Sequence, residues 1–180
     1  MTRETPSNGA PLQDTAAPVR RPGALHAGMP SRSAVLGDIV SILMRAPKHR
    51  TMPLESLGHF VLPAIMHNQF RIARIRKTGS AVAAPAGFAV WASVSEAVDQ
   101  RLRAAKQLPV TLAYEEWRSG PILWLIDLVA PSAIAADMLK EIEEKVGRGK
   151  PVFMHVVSAD GARQTTTVSD LANSLKTMSA

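Results

Sequence analysis

The chain reads as an α+β (mixed α/β) single domain, in which helices pack against a mixed, mainly antiparallel sheet. Three observations predict this class. Apolar residues recur at helical spacing after residue 31 and again after residue 131. The period becomes two in the segments 69–77 and 88–93 and again beyond residue 151. Between them, residues 121–130 form an almost continuous apolar run, as a central strand buried on both faces requires. A length of 180 residues with 46% hydrophobic content suffices for one buried core.

Residues 1–30 carry five prolines and only two leucines, so they bury too little apolar surface to offset their ordering entropy. They are expected to form a disordered tail, and 31–180 the folded domain. Ser31 or Ser33 caps a first helix with Val35, Leu36, Ile39, Ile42 and Leu43 on its buried stripe. Pro47 stops it, leaving residues 47–50 as a turn. A second helix begins near Pro53 and buries Leu54, Leu57, Phe60, Val61 and Ile65.

Residues 69–77 alternate Phe70, Ile72 and Ile75 with arginines, predicting a half-buried strand with one slip of register. A Gly/Ala/Pro-rich loop over 77–87 leads to a returning strand over 88–93. Residues 94–106 form a helix with Glu96, Asp99, Arg101 and Arg103 on its polar side. After the central strand, Pro131 ends the run and Ser132 caps a helix reaching about Val146. Strands over 151–157 and 163–168 flank an Asp160-Gly161 turn, and a short helix closes the chain. All three tryptophans and the one tyrosine fall between residues 91 and 124, which places the central packing there.

No cysteine is present, which excludes a disulfide framework, a thiol nucleophile and a cysteine-based zinc site. The net charge of +6 points to an acidic partner. Between residues 45 and 77, Arg45, Lys48, Arg50, Arg71, Arg74, Arg76 and Lys77 face only one acid, Glu55, a local excess equal to that of the whole chain. A solvated face is the plainer account of such a cluster. No apolar run is long enough to span a membrane, and no apolar core follows Arg20-Arg21 as a twin-arginine signal requires. A cytoplasmic protein without stable membrane insertion is expected.

Two residues stand out chemically. Asp127 is the only charge in the central strand, and an unpaired buried carboxylate is costly. It is either structural, paired to an arginine or to backbone N–H groups, or it orients a base or nucleophile. His49 lies in the proline-interrupted turn beside Arg50, where it is either solvated or set at a cleft. His26, His59, His67 and His155 have no companions at metal-ligand spacing, so no metal site or metal cofactor is expected.

A specific order of short motifs runs through residues 34–135. It comprises Leu36-Gly37, Ala46-Pro47-Lys48-His49-Arg50, Met52-Pro53, Leu62-Pro63-Ala64-Ile65 and Asn68-Gln69. It continues through Trp91-Ala92, Glu116-Trp117, Ser119-Gly120, Trp124, Ile126-Asp127 and Ala130-Pro131. This pattern resembles the RTX toxin-activating lysine acyltransferases. The resemblance implies a fold similar to the acetyltransferase (GNAT-like) group. It implies acyl-acyl carrier protein as co-substrate, with no other cofactor, and amide formation on an internal lysine of an RTX-type protoxin. The family's essential histidine and aspartate fall on His49 and Asp127. The basic residues Arg45, Lys48, Arg50, Arg71, Arg74 and Arg76 would dock acidic acyl carrier protein, and Met52, Trp91 and Trp124 would form the apolar wall of the acyl site.

The chain also departs from that pattern. Ala46 replaces a serine that some members carry, which removes a hydroxyl nucleophile at that place, and Met52 replaces a usual tryptophan. The match weakens after residue 135, and the leading tail is longer. Residues 76–81 fit the loose R-x-x-G-x-A pattern for coenzyme A pyrophosphate, but they lie between two strands and not before a helix, so no coenzyme A loop is expected.

His49 is suited to take a proton from the acceptor lysine, or to carry the acyl group briefly as an acyl-imidazole. Both routes are open, as is the oligomeric state, with a homodimer among the alternatives. A non-catalytic basic adapter that binds carrier protein or a secreted partner is the second reading. Nucleic-acid binding is disfavoured, because the arginines alternate with core residues and no exposed aromatics interleave them.

Overall fold

A computed structural model of the chain describes residues 30–76, 78–79, 81–105, 110–157 and 162–177. The expectations for residues 1–29 and for the Asp160-Gly161 turn lie outside them. The first helix, α1, spans Arg32–Leu43, and its N-cap is Ser31, whose Oγ accepts from Ala34 N at 3.2 Å. It ends at Leu43, four residues before Pro47, whose ring would collide with that carbonyl in a continued helix. Its stripe Val35, Ile39, Ile42 and Leu43 is buried.

A 3₁₀ turn over Leu54–Ser56 leads into α2, Leu57–Met66. Leu54 does not belong to the buried face as expected. It sits in the 3₁₀ turn before the helix and is 78% exposed. Strand β1, Phe70–Arg76, pairs antiparallel with β2, Ala83–Val94. The returning strand therefore starts five residues earlier than residue 88. The slip of register is present, but the extra residue is Ala86 on β2, because Ala73 faces Gly87 while Arg74 faces Pro85. Ile75 is consequently exposed and not part of the core.

Ser95 caps α3, Glu96–Ala104, through a 3.4 Å bond from Val98 N. A 3₁₀ turn, Tyr114–Trp117, buries Trp117 and leads to β3, Ile122–Val129. Helix α4, Ser132–Ile142, continues into a π-helical turn over Glu143–Gly147. Its cap position is Pro131, without a side-chain cap bond, so Ser132 is the first helical residue and not the cap. Strands β4, Val152–Val157, and β5, Arg163–Thr167, precede α5, Val168–Thr177.

The five strands lie in the order β1-β2-β3-β4-β5, and all neighbours are antiparallel except β3 and β4. This is a mixed, mainly antiparallel α+β domain consistent with a GNAT-like fold. Two apolar clusters occupy its two faces. One joins α1, α2 and α3 to Phe88, Val90, Ala92, Val94 and Trp124. The other joins α4 and α5 to Ala89, Leu125, Val152 and Met154. Among the described residues no helix is long and apolar enough to cross a membrane.

Candidate active site

The segment after α1 folds back on itself. His49 N and Arg50 N both bond Ala46 O, at 2.9 and 3.0 Å, and Met52 N bonds His49 O at 2.9 Å. This series of turns, forced by Pro47, ties His49 to the carboxyl end of α1 on the first face of the sheet.

Asp127 reaches that same face through a β-bulge. Val90 pairs with Asp127 while Trp91 pairs with Leu125, so Ile126 is an extra residue on β3. In an unbroken strand, Asp127 would share a face with Leu125, which belongs to the α4–α5 cluster. The bulge reverses the alternation, so that Val129 packs with the opposite cluster and Asp127 turns toward α1. The β3–β4 pairing, Leu123↔Val152 to Leu125↔Met154, also ends beside it.

His49 Nε2 and Asp127 Oδ2 are 3.0 Å apart, and the two side chains are 13% and 24% exposed. Asp127 Oδ1 accepts the Leu128 N–H at 2.9 Å. Both carboxylate oxygens are thus engaged, and the Nε2 proton lies toward the acid. Nδ1 of His49 is buried and has no hydrogen-bond partner. The pair can orient an imidazole, balance the charge of an imidazolium, and leave Nδ1 as a lone-pair nitrogen.

The other expected site residues divide. Lys48, Arg50 and Arg76 are exposed and have no carboxylate partner among the described residues. Arg45 donates to Ser41 O at 2.9 Å and Pro85 O at 2.6 Å, joining the end of α1 to β2. Arg71 pairs with Glu141 on α4, and Arg74 with Asp38 on α1. These two pairs tie β1 to helices on opposite faces, while the arginine side chains stay 50% and 39% exposed. Lys77 lies outside the described residues.

Of the three wall residues, Met52 is half-buried against the α1–α2 cluster next to the His49 turn. Trp124 is not a wall. It is 1% exposed, and its Nε1 donates to Asp99 Oδ1 at 2.7 Å. Trp91 alternates with Val90 and Ala92 and so projects to the other face of the sheet, away from His49.

Other motif residues serve the scaffold. Gly120 is required because a Cβ there would lie 2.5 Å from Val94 O, and Ser119 Oγ accepts from Ser95 N at 2.9 Å. Asn68 takes a left-handed φ of 55°, and buried Gln69 donates to Ser93 Oγ at 2.9 Å. Sequence reasoning also placed Asp99 on a polar face, whereas it is 7% exposed. The i,i+4 spacing to Arg103 and an indole N–H in need of an acceptor were the available signals. No group of three or more potential metal ligands occurs among the described residues.

An uncharacterised protein of Synechocystis sp. is 26% identical over 129 residues, covering 72% of this chain and 83% of that protein. The leukotoxin-activating lysine-acyltransferase of Pasteurella haemolytica-like sp. is 30% identical over 110 residues, 61% of each chain. The protein-lysine myristoyltransferase of Escherichia coli is 26% identical over 111 residues, covering 62% of this chain and 60% of that enzyme. The chain thus spans about three-fifths of those two named enzymes. The RTX toxin acyltransferase family model matches residues 29–170 and includes both His49 and Asp127. The chain belongs to the RTX toxin acyltransferase family.

Proposed function

We propose that this chain is a protein-lysine fatty acyltransferase that moves an acyl group from acyl carrier protein to an internal lysine of an RTX-type protoxin. The observation that carries the proposal is the 3.0 Å contact between His49 and Asp127, made by residues 78 positions apart. The relatives named as toxin-activating lysine acyltransferases support the same chemistry.

The obstacle in the reaction is the acceptor ammonium. With a pKa near 10.4, freeing its amine at pH 7 costs about 4–5 kcal/mol. Asp127 holds the His49 proton on Nε2, so Nδ1 takes the proton of the attacking amine. The amine nitrogen bonds to the thioester carbonyl carbon, the carbon–sulfur bond breaks, and the thiolate leaves and recovers a proton. Asp127 balances the imidazolium in between. In the acyl-enzyme route, Nδ1 first bonds to the carbonyl carbon and the carbon–sulfur bond breaks to release the thiolate. The lysine amine then attacks the same carbon, the bond to Nδ1 breaks, and the freed imidazole takes the amine's proton, which finally neutralises the thiolate. Exposed Lys48 and Arg50 flank His49 and would meet the acidic carrier protein.

The test is mass spectrometry of a protoxin incubated with acyl-acyl carrier protein and the purified chain. His49→Ala and Asp127→Asn should each fold, still bind carrier protein, and lose transfer by at least about 100-fold. A wild-type rate in His49→Ala would leave the chain no more than a basic adapter.

A further inference from the structure

We propose that the cleft between the carboxyl end of α3 and strand β5 is an anion site for a phosphate or carboxylate group carried by a partner molecule. Its cationic ligands are Arg163 and Arg103, and Thr165 supplies a hydroxyl. The cleft measures about 370 Å³ and is lined by Arg103, Ala104, Ala105, Arg163 and Thr165.

Arg163 Nη2 donates to Leu102 O at 3.0 Å, at the end of α3, and also to His155 Nε2. A guanidinium only donates, so the His155 proton sits on Nδ1, which lies 3.3 Å from Thr165 Oγ1. His155 is therefore neutral in this arrangement. Burial, with the Arg163 charge next in effect, lowers its pKa to about 4. The Leu102 contact accounts for Nη2, because a cation suits a helix carboxyl end. It does not account for Nε and Nη1, which are buried and have no hydrogen-bond partner. No carboxylate pairs with Arg163 among the described residues, and burial lowers its pKa. Buried charged donors without acceptors are costly, and an oxyanion removes that cost.

Arg103 reaches the same cleft in a fixed orientation. Its Nε bonds Asp99 Oδ2 at 2.8 Å, and its guanidinium lies 4.0 Å from the Phe153 ring centroid. Both Asp99 oxygens are already used, the second by Trp124. The local charge is two guanidiniums against one engaged carboxylate, an excess of one positive charge. Groups held this rigidly lose little entropy when a ligand arrives. His155, which accepts from Arg163, follows the last β3–β4 pair by one residue, and Asp127 follows it by two on the neighbouring strand. Binding in the cleft does not depend on the acyl-transfer reading.

The experiment titrates inorganic phosphate, and separately acetate, into the full chain at constant ionic strength. Arginine Nε–H signals are followed by nitrogen-15 NMR. Saturable shifts of the Arg163 and Arg103 signals are expected, with Kd on the order of 1 mM. Affinity should fall about tenfold or more in Arg163→Gln and persist in His49→Ala. Because Arg163 also supports α3, Thr165→Val serves as a milder variant and should weaken binding about threefold. A phosphate preference of about tenfold assigns a phosphate-bearing partner, and equal response to acetate assigns an acidic side chain. A linear, unsaturated response to both anions overturns the proposal, as does wild-type affinity in a folded Arg163→Gln protein.

Discussion

Asp99 and Asp127 are both drawn out of solvent on the first face of one sheet, yet they end their hydrogen-bond chains differently. Asp99 is 7% exposed and spends one oxygen on Trp124 Nε1 and the other on Arg103 Nε. Neither partner exchanges a proton near neutrality, so the network is closed and its product is rigidity. Asp127 spends one oxygen on the Leu128 backbone and the other on His49, whose far nitrogen bonds nothing. Residue type and sheet face are the same in the two cases, although Asp99 stands on α3 and Asp127 on β3. Under the proposed chemistry, what separates a structural acid from a working one is whether its chain of bonds ends on a group with a free lone pair.

That contrast can be broken experimentally, and the largest effect belongs to the open chain. Asp127→Asn should cost at least about 100-fold in acyl transfer while changing stability by less than about 1 kcal/mol, read by paired activity and urea denaturation. Asp99→Ala should invert the pattern. It should destabilise by about 2–4 kcal/mol, and activity should fall only with the folded fraction. If Asp99→Ala also abolishes transfer in protein that remains folded, the two acids do not divide as described.

Next in size is a dependence on acidity. The folded-state pKa of His155, about 4, lies below its unfolded value near 6.5. Between those values the unfolded chain binds the extra proton, so stability present above pH 6.5 is lost as pH falls toward 4. The loss is at most about 3 kcal/mol, reduced by partial exposure, and His155→Gln should flatten it in urea midpoints measured from pH 4 to 7. The smallest effects concern the surface. Lys48→Glu and Arg50→Glu should each weaken carrier-protein binding by a few-fold at low salt. Arg71→Ala and Arg74→Ala should change it less, because those cations already face Glu141 and Asp38. Isothermal titration at two salt concentrations separates the two sets.

Much of the fold was legible because it rests on local signals. Ser31 capping, the stop before Pro47 and the apolar run of β3 each follow from steric or hydrogen-bonding rules confined to a few residues. His49 and Asp127 were singled out because a carboxylate in an apolar strand and a histidine in a proline turn are both locally anomalous. The bulge in β3 was not legible. Around Ile126 every neighbour except Asp127 is apolar, so inserting one residue leaves no trace in the pattern. The same blindness made Trp124 and Trp91 appear to line the site, since an indole ring suits a wall and a core equally well. The partners of Arg71 and Arg74 were not legible, because a cation's partner on a distant helix is a tertiary fact.

The extra residue at Ile126 acts as a parity switch. Adding or removing a single position in β3 keeps the strand, its hydropathy and its pairing energy almost intact, yet it exchanges which side of the sheet each later residue sees. A chain that paired β2 with β3 one step out of phase would have a closed sheet and similar helices, but Asp127 would point toward α4 and away from His49. Far-ultraviolet spectroscopy would barely distinguish the two products. The proposed acyl transfer would, and so an assay of that transfer on refolded protein would double as a count of the molecules whose strands have paired in phase.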